Sequence, residues 1–400
     1  MQFKDWRREK RERGITEKRR VHASEWIVDE LDTSMGIFGG DAVSRLGVAM
    51  WGIVRYVGRR GIIVLHNDEG MDDKLKYLWE SHAELEEYLQ DISIRMVNPD
   101  MCIYKPLSGI PVSEIVGTIY SNRNGMENNS ICEEILDNYL KLILECENHI
   151  DLPLLLKWID KSPDELENEY GDRELARRIL KKIRTRNGND SYYDKVRADV
   201  RSVFRKLENK IWSEAAEDQE RVSIAETIEN GDILSIRIPD NDKYVLDYLF
   251  NELLYQLNHG RRFLLVVDEL AVGMLDRLDM LKNPSLNVEL IQSVPDFGNG
   301  ESDSEWENII YRLDDIILLN FPMARAAEPV ARMVGRYWGK RITENKNKHR
   351  GARDWFAGHG HGTVESQDFY ERIPPEMLTE IGDAAYLFSD EIYYARVIEW

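Results

Sequence analysis

Short apolar runs alternate along this chain with stretches whose apolar residues recur at helical spacing. The clearest run is Phe263-Leu264-Leu265-Val266-Val267, bounded by Arg261-Arg262 on one side and Asp268-Glu269 on the other. Its length and its Val and Leu content read as a strand buried on both faces of a parallel sheet. Ile62-Ile63-Val64-Leu65 is a second run of that kind. Ahead of it, Val43, Leu46, Met50, Ile53, Val54 and Val57 predict a helix over 41–60, closed by Gly61. Further helices are expected over 71–90, 242–258, 274–280 and 323–335. Residues 91–101 read as irregular or a short strand, and strands are expected over 232–238, 287–293 and 314–321. Pro374-Pro375-Glu376 opens a helix, since proline is tolerated in the first turn. Residues 384–388 and 393–399 read as a closing hairpin, and 345–363 as a polar loop rich in Gly and His. From 112 to 216 no strand pattern is convincing, and helices are expected over 133–146, 152–158, 164–183 and 192–212. The whole predicts an α/β protein, a parallel sheet flanked by helices, with an inserted all-α subdomain.

That pattern divides the chain into a basic N-terminal arm (1–30), a first sheet-forming part (31–111), the helical insertion (112–216) and a second sheet-forming part (217–400). A formal net charge of −20 argues against a surface that is basic everywhere. DNA or a DNA-processing protein would therefore have to be met locally, through the Lys/Arg-rich segments 1–20, 173–206 and 336–353. The first of these, with Lys4, Arg7, Arg8, Lys10, Arg11, Arg13, Lys18, Arg19 and Arg20, reads as a solvated helix or an arm. Three cysteines, Cys102, Cys132 and Cys146, without a CxxC, suit buried thiols in a reducing compartment. The long apolar stretch 42–57 carries Arg45 and Arg55, so it is no membrane span. With no transmembrane segment and no N-terminal apolar leader, the chain is expected to be cytoplasmic, with recruitment to a membrane machine left open.

The chemistry lies at the ends of the runs. Asp268 and Glu269 follow a buried strand directly, and ligands of open α/β sheets sit at the carboxyl ends of strands. Carboxylates there can hold Mg²⁺ and orient a water against a phosphate, which is Walker B chemistry. A core strand leading into an acidic first helical turn would look the same. Gly36-Ile37-Phe38-Gly39-Gly40-Asp41-Ala42-Val43-Ser44 stands where a phosphate loop, G-x-x-x-x-G-K-[ST], would be. Gly36 and Gly39 fall in step with it. Asp41 replaces the later glycine, Ala42 the lysine and Val43 the Ser/Thr, while Ser44 comes one place late. Asp41 would repel a triphosphate, and a glycine turn with no ligand is the other reading of the segment. His359-Gly360-His361, with His349 nearby, offers imidazoles, but no Cys or acidic cluster nearby has ligand spacing.

With these elements in this order, the chain from about 34 to 400 resembles the RecA-like motor domain of type IV coupling proteins, the TraG-type ATPases of the FtsK–HerA superfamily. Gly36 to Val43 takes the Walker A place and Phe263 to Glu269 the Walker B place. Residues 66–69 stand at the family's Asp-containing strand end, and Tyr104-Lys105-Pro106-Leu107 is similar to its Tyr-Asn-Pro segment. Gln292 matches the phosphate-sensing glutamine that ends the next strand. The resemblance implies a P-loop NTPase-type fold that works in rings on DNA with ATP and Mg²⁺. Asp268 would hold the metal, and Asp268, Glu269 and Gln292 would do the chemistry. Two departures stand out. The family's N-terminal transmembrane helices have no counterpart, and the Walker A Lys and Ser/Thr are missing. The expectation is a catalytically weak or inactive ATPase-fold subunit that scaffolds or recruits, as a homo-oligomer or beside a catalytic relative. The alternative is an active ring-forming, ATP-driven DNA translocase with an unusual phosphate loop.

Overall fold

The computed structural model describes residues 15–21, 34–68, 70–83, 92–97, 102–120, 129–186, 194–201, 220–238, 243–269, 286–292, 313–334, 336–348, 359–388 and 392–397. The chain divides into two compact units. One comprises Met1–Ile27, Met35–Arg45 and Gln292–Trp400; the other comprises Val28–Ser34 and Leu46–Ile291.

The first unit holds β1 (Ile15–Val21), β2 (Met35–Phe38), β10 (Asp315–Leu318), β13 (Ala384–Phe388) and β14 (Ile392–Val397), in the order β1-β14-β13-β10-β2. β2 and β10 pair in parallel, Gly36 opposite Ile316, and both are buried along their length. β13 and β14 form the expected antiparallel hairpin. Within the basic N-terminal stretch, β1 is neither helix nor arm: it pairs in parallel with β14. The alternation of Ile15 and Val21 with charged residues is too sparse to announce a strand, and backbone pairing supplies what the side chains do not signal.

A second correction concerns 345–363. Its described residues are not loop: β11 (Arg336–Lys348) and β12 (His359–Glu371) pair without a break from Arg336–Glu371 to Lys348–His359. A two-stranded ribbon pairs the N–H and C=O groups of its inner edges and leaves the outer ones to water, so no apolar face has to accompany it and hydropathy gave no sign of it. Residues 349–358 lie outside the described set.

The second unit carries β3 (Gly61–His66), β4 (Ile94–Val97), β5 (Cys102–Tyr104), β6 (Glu220–Val222), β7 (Ile233–Arg237), β8 (Phe263–Asp268) and β9 (Asn287–Gln292). Their order is β9-β8-β3-β7-β4-β5-β6, and every pairing is parallel. All six residues of β3 and of β8 are buried, as the unbroken apolar runs require. The expected helices appear as α1 (Ala42–Tyr56), α2 (Met71–Ala83) and α9 (Lys243–Asn258). Three short elements, β5 ahead of the insertion and β6 and α8 (Ile224–Asn230) after it, were not foreseen; three-residue strands carry too little pattern to read.

The described residues from 112 to 201 are helical and contain no strand. They form α3 (Val112–Tyr120), α4 (Asn129–Glu147), α5 (Leu152–Ile159), α6 (Pro163–Tyr170), α7 (Glu174–Arg186) and a further helix over 194–201. The helix expected over 164–183 is therefore two. Ser162 and Glu165 cap the start of α6 reciprocally, and Arg177 Nε donates to the Gly171 carbonyl (2.9 Å), pinning the turn between α6 and α7. Trp158 is fully buried in this insertion and stacks on Tyr170, ring centroids 4.5 Å apart. Among the described residues no helix is long and apolar enough to cross a membrane.

Candidate functional site

The glycine segment of the first unit is short and closed. β2 runs to Phe38 and α1 begins at Ala42, so only Gly39, Gly40 and Asp41 turn the chain, while Gly36 is a strand residue. Gly39 and Gly40 are both left-handed, with φ of 82° and 68°. Their faces are packed: a Cβ would stand 2.9 Å from the Leu319 carbonyl oxygen at Gly39, and 2.8 Å from Leu319 Cδ1 at Gly40. Hence glycine is needed at both positions for conformation and for space.

A phosphate loop works by leaving N–H groups free to point at an anion. Here the N–H groups of Gly40, Ser44 and Arg45 have internal partners. The Gly40 N–H donates to the Asn320 carbonyl (2.6 Å), and the Arg45 N–H to the Asp41 carbonyl (3.1 Å). The Ser44 N–H donates to Asp41 Oδ1 at 2.7 Å, an N-cap contact. That hydrogen bond is the main cause that holds the Asp41 carboxyl below its ordinary pKa, with help from the Val43 N–H and the nearby Arg45 charge and against partial desolvation. Asp41 thus places its own anion at the helix N-terminus, where a phosphate would otherwise be favoured. Behind the turn, the buried Arg45 guanidinium donates from Nη1 to the carbonyls of Gly40 (2.6 Å) and Gly39 (3.3 Å). Ala42 and Val43 add no cation and no oxygen, and Val43 is 55% exposed.

The acidic strand end of the second unit is built differently. Asp268 closes β8, is buried, and pairs in register with Ile291. Gln292 ends β9 one residue past that rung. Glu269 follows with φ of 50°, a left-handed conformation that a side-chain-bearing residue adopts at a cost of about 1–2 kcal/mol. Two hydrogen bonds hold it. Its N–H donates to the Ile291 carbonyl (3.0 Å), and its carbonyl accepts from Asn67 Nδ2 at 3.2 Å. The structure therefore gathers Asp268 and Glu269 at the end of one strand, against Ile291 of the next, and gathers Gly39 to Arg45 around one turn.

Beside Asn67, the end of β3 carries a buried polar knot. His66 is fully buried; its Nδ1 lies 2.9 Å from the Asp68 carbonyl, and its Nε2 lies 3.2 Å from Asp72 Oδ1 and 3.1 Å from Ser235 Oγ. Ser235 Oγ also donates to Asp72 Oδ1 (2.7 Å). Asp68 accepts from Lys74 Nζ (2.7 Å) and the Gly70 N–H (2.9 Å), and these two contacts, the lysine first, lower its pKa. Sequence reasoning missed Arg45, Asn67 and Asn320 as site residues. Arg45 left a trace, a charged residue on an otherwise apolar helix one turn past the glycines. Asn67 left none, because nothing local distinguishes an asparagine whose side chain braces a distant backbone, and Asn320 left none because it contributes only its backbone carbonyl.

Among the described residues no group of three or more His, Cys, Asp or Glu side chains stands together as a metal site. Mg²⁺ takes oxygen ligands, and Asp268, the carboxylate expected to hold it, is buried at the end of β8.

No family model matches the sequence, and no curated protein matches it. Among solved structures the chain is similar to a bacterial conjugative coupling protein, TrwBdeltaN70 in an unbound monoclinic form. The two share 14% identity and a TM-score of 0.53 over 92% of this chain and 85% of that one. It is also similar to VirB4 of Thermoanaerobacter pseudethanolicus, at 15% identity and a TM-score of 0.38, over 77% of this chain and 83% of that one. The first likeness covers nearly the whole chain and establishes the fold: RecA-like, of the P-loop NTPase type, with helices flanking a mixed sheet, parallel except where β13 pairs antiparallel with β10 and β14, and an inserted all-α subdomain.

Proposed function

We propose that this chain is a coupling-protein-like component of a conjugative, type IV secretion or related DNA-handling machine, and that it serves there as a catalytically weak or inactive ATPase-fold subunit. It would scaffold the machine or recruit DNA-processing factors, as a homo-oligomer or beside a catalytic relative, and would be brought to a membrane assembly by its partners. The fold shared with a conjugative coupling protein supports the setting. One observation carries the inactivity: a three-residue turn whose helix N-terminus is already capped by the Asp41 carboxylate. Phosphoryl transfer depends on positioning and charge neutralisation, and the turn supplies neither. The test is nucleotide binding and turnover by the full chain with Mg²⁺. Neither binding near physiological nucleotide levels nor hydrolysis above background is expected. Steady turnover abolished by Glu269→Gln would overturn the reading.

That outcome would favour the second reading, an ATP-driven DNA translocase. The observation on its side is the left-handed Glu269 held by Asn67 and Ile291, since backbone strain that the surroundings enforce is often kept for chemistry.

A further inference from the structure

The β11–β12 ribbon is the largest element that the nucleotide chemistry leaves unused. Its 13-residue strands, at about 3.4 Å per residue, run roughly 40 Å. That exceeds one turn of duplex DNA, about 34 Å. Charge is sorted along the ribbon. Every carboxylate of β12 lies toward the base: Glu371 opposite Arg336, Asp368 opposite Gly339 and Glu365 opposite Ile342, with Lys340 and Arg341 in the strand beside them. Glu344, opposite Thr363, is the last acid. The four rungs beyond it are Asn345–Gly362, Lys346–His361, Asn347–Gly360 and Lys348–His359, and none holds a carboxylate.

Successive rungs place their residues on opposite faces. Lys346, His361, Lys348 and His359 therefore occupy same-face positions, and Asn345, Gly362, Asn347 and Gly360 occupy the other face. Two histidines alone at that spacing would invite a metal. Their cross-strand partners are lysines, which repel a cation and offer no carboxylate or thiolate ligand. Lysine and histidine at these register positions on one face are residue types that suit phosphate oxygens.

We propose that the distal end of this ribbon is an arm that contacts the phosphate backbone of duplex DNA. The major groove, about 12 Å wide, admits a two-stranded ribbon. In a chain of net charge −20, four successive rungs without a carboxylate are also what local contact with a polyanion requires. The inference rests on the DNA-handling reading above, and it is independent of the state of the glycine turn.

The experiment is fluorescence anisotropy of a labelled duplex with the full chain across a salt series, repeated with a labelled single strand. The variant Lys346→Gln/Lys348→Gln is expected to lower the slope of log affinity against log salt by about 2 and to weaken duplex binding on the order of tenfold. Lys346→Arg/Lys348→Arg should keep the native slope, as should Lys340→Gln/Arg341→Gln among the acids near the base. A Gln variant of the distal pair that retains the native slope overturns the arm while leaving DNA handling standing. A distal pair that alters only single-strand binding overturns the duplex assignment. A native chain that binds neither nucleic acid overturns both this inference and the DNA-handling reading.

Discussion

Glu252 on α9 is fully buried, and its pKa is raised from 4.5 to about 7. Desolvation is the cause. The phenols of Tyr248 and Tyr104 lie close enough to pull the value back down, although neither carboxyl oxygen has a fully aligned hydrogen bond. The Tyr248 hydroxyl oxygen in turn accepts the N–H of Leu107 (2.9 Å), so the carboxyl sits beneath the Tyr104-to-Leu107 turn. At about 1.36 kcal/mol per pKa unit, a rise from 4.5 to about 7 makes ionised Glu252 cost ~3 kcal/mol of folding stability. The sign follows from linkage. Below the ordinary pKa both states hold the proton and nothing is lost. As pH rises from 4.5 towards 7 the unfolded chain ionises first and stability falls; above 7 the folded carboxyl ionises too and the loss levels off. Glu252→Gln keeps an acceptor for the phenols and removes the charge. Urea denaturation of both chains should show the variant gaining under about 1 kcal/mol from this source near pH 5 and about 3 kcal/mol near pH 8. A stability difference that does not change with pH would refute the reasoning, and so would a native chain that gains on the variant as pH rises.

Three further outcomes follow from close contacts. In α1, a Cβ at Gly52 would stand 1.7 Å from Glu289 Oε1, and Glu289 is buried with burial alone pushing its pKa well up. Gly52→Ala should cost on the order of 2 kcal/mol, and a double-mutant cycle with Glu289→Ala should return a favourable coupling of about 1 kcal/mol or more; strict additivity would show that the contact is not made. Removing the Asn67 brace (Asn67→Ala) should cost about 1 kcal/mol, whereas Glu269→Gly, which relieves the left-handed strain, should stabilise by a similar amount. Thermal melts of the two would count against the strained clamp if their signs came out reversed. Arg45→Met should lose about 2 kcal/mol by leaving the Gly39 and Gly40 carbonyls unbraced, and a variant as stable as the native chain in urea would show that the brace contributes nothing.

Much of the fold could be read from the chain because its signals are local and strong. Phe263 to Val267 and Ile62 to Leu65 are unbroken apolar runs, and they pair in parallel as such runs do. The helical insertion showed itself by the absence of strand pattern, and the closing hairpin by two short apolar and aromatic runs separated by polar residues. The ribbon was hidden because its stabilisation is backbone pairing between segments of mixed polarity, which leaves no period in hydropathy. The candidate site was legible in its residue types and illegible in its geometry. That Ala42 and Val43 break the phosphate-loop pattern needs only the sequence. That β2 consumes Gly36 to Phe38, leaving three residues to turn, depends on pairing with Ile316 to Leu318 almost three hundred residues away.

Turn length bears most heavily on the chemistry. An Asp41 cap is worth about 1 kcal/mol and a buried guanidinium on two carbonyls about 2 kcal/mol. Opening the turn would thus oppose a nucleotide by ~3 kcal/mol, about two orders of magnitude in affinity. Those contacts could be bred out by substitution at Asp41 and Arg45. The pairing of Gly36 to Phe38 with β10 could not, because lengthening the turn means unzipping buried rungs of the sheet. A chain that had merely lost its lysine would keep a long, open loop with unused N–H groups. Here the N–H of Gly40 is held by Asn320, that of Ser44 by the Asp41 carboxylate and that of Arg45 by the Asp41 carbonyl, and the neighbouring glycines are packed against Leu319. The described segment is a capped and packed corner, and that geometry is what the proposed loss of nucleotide binding rests on.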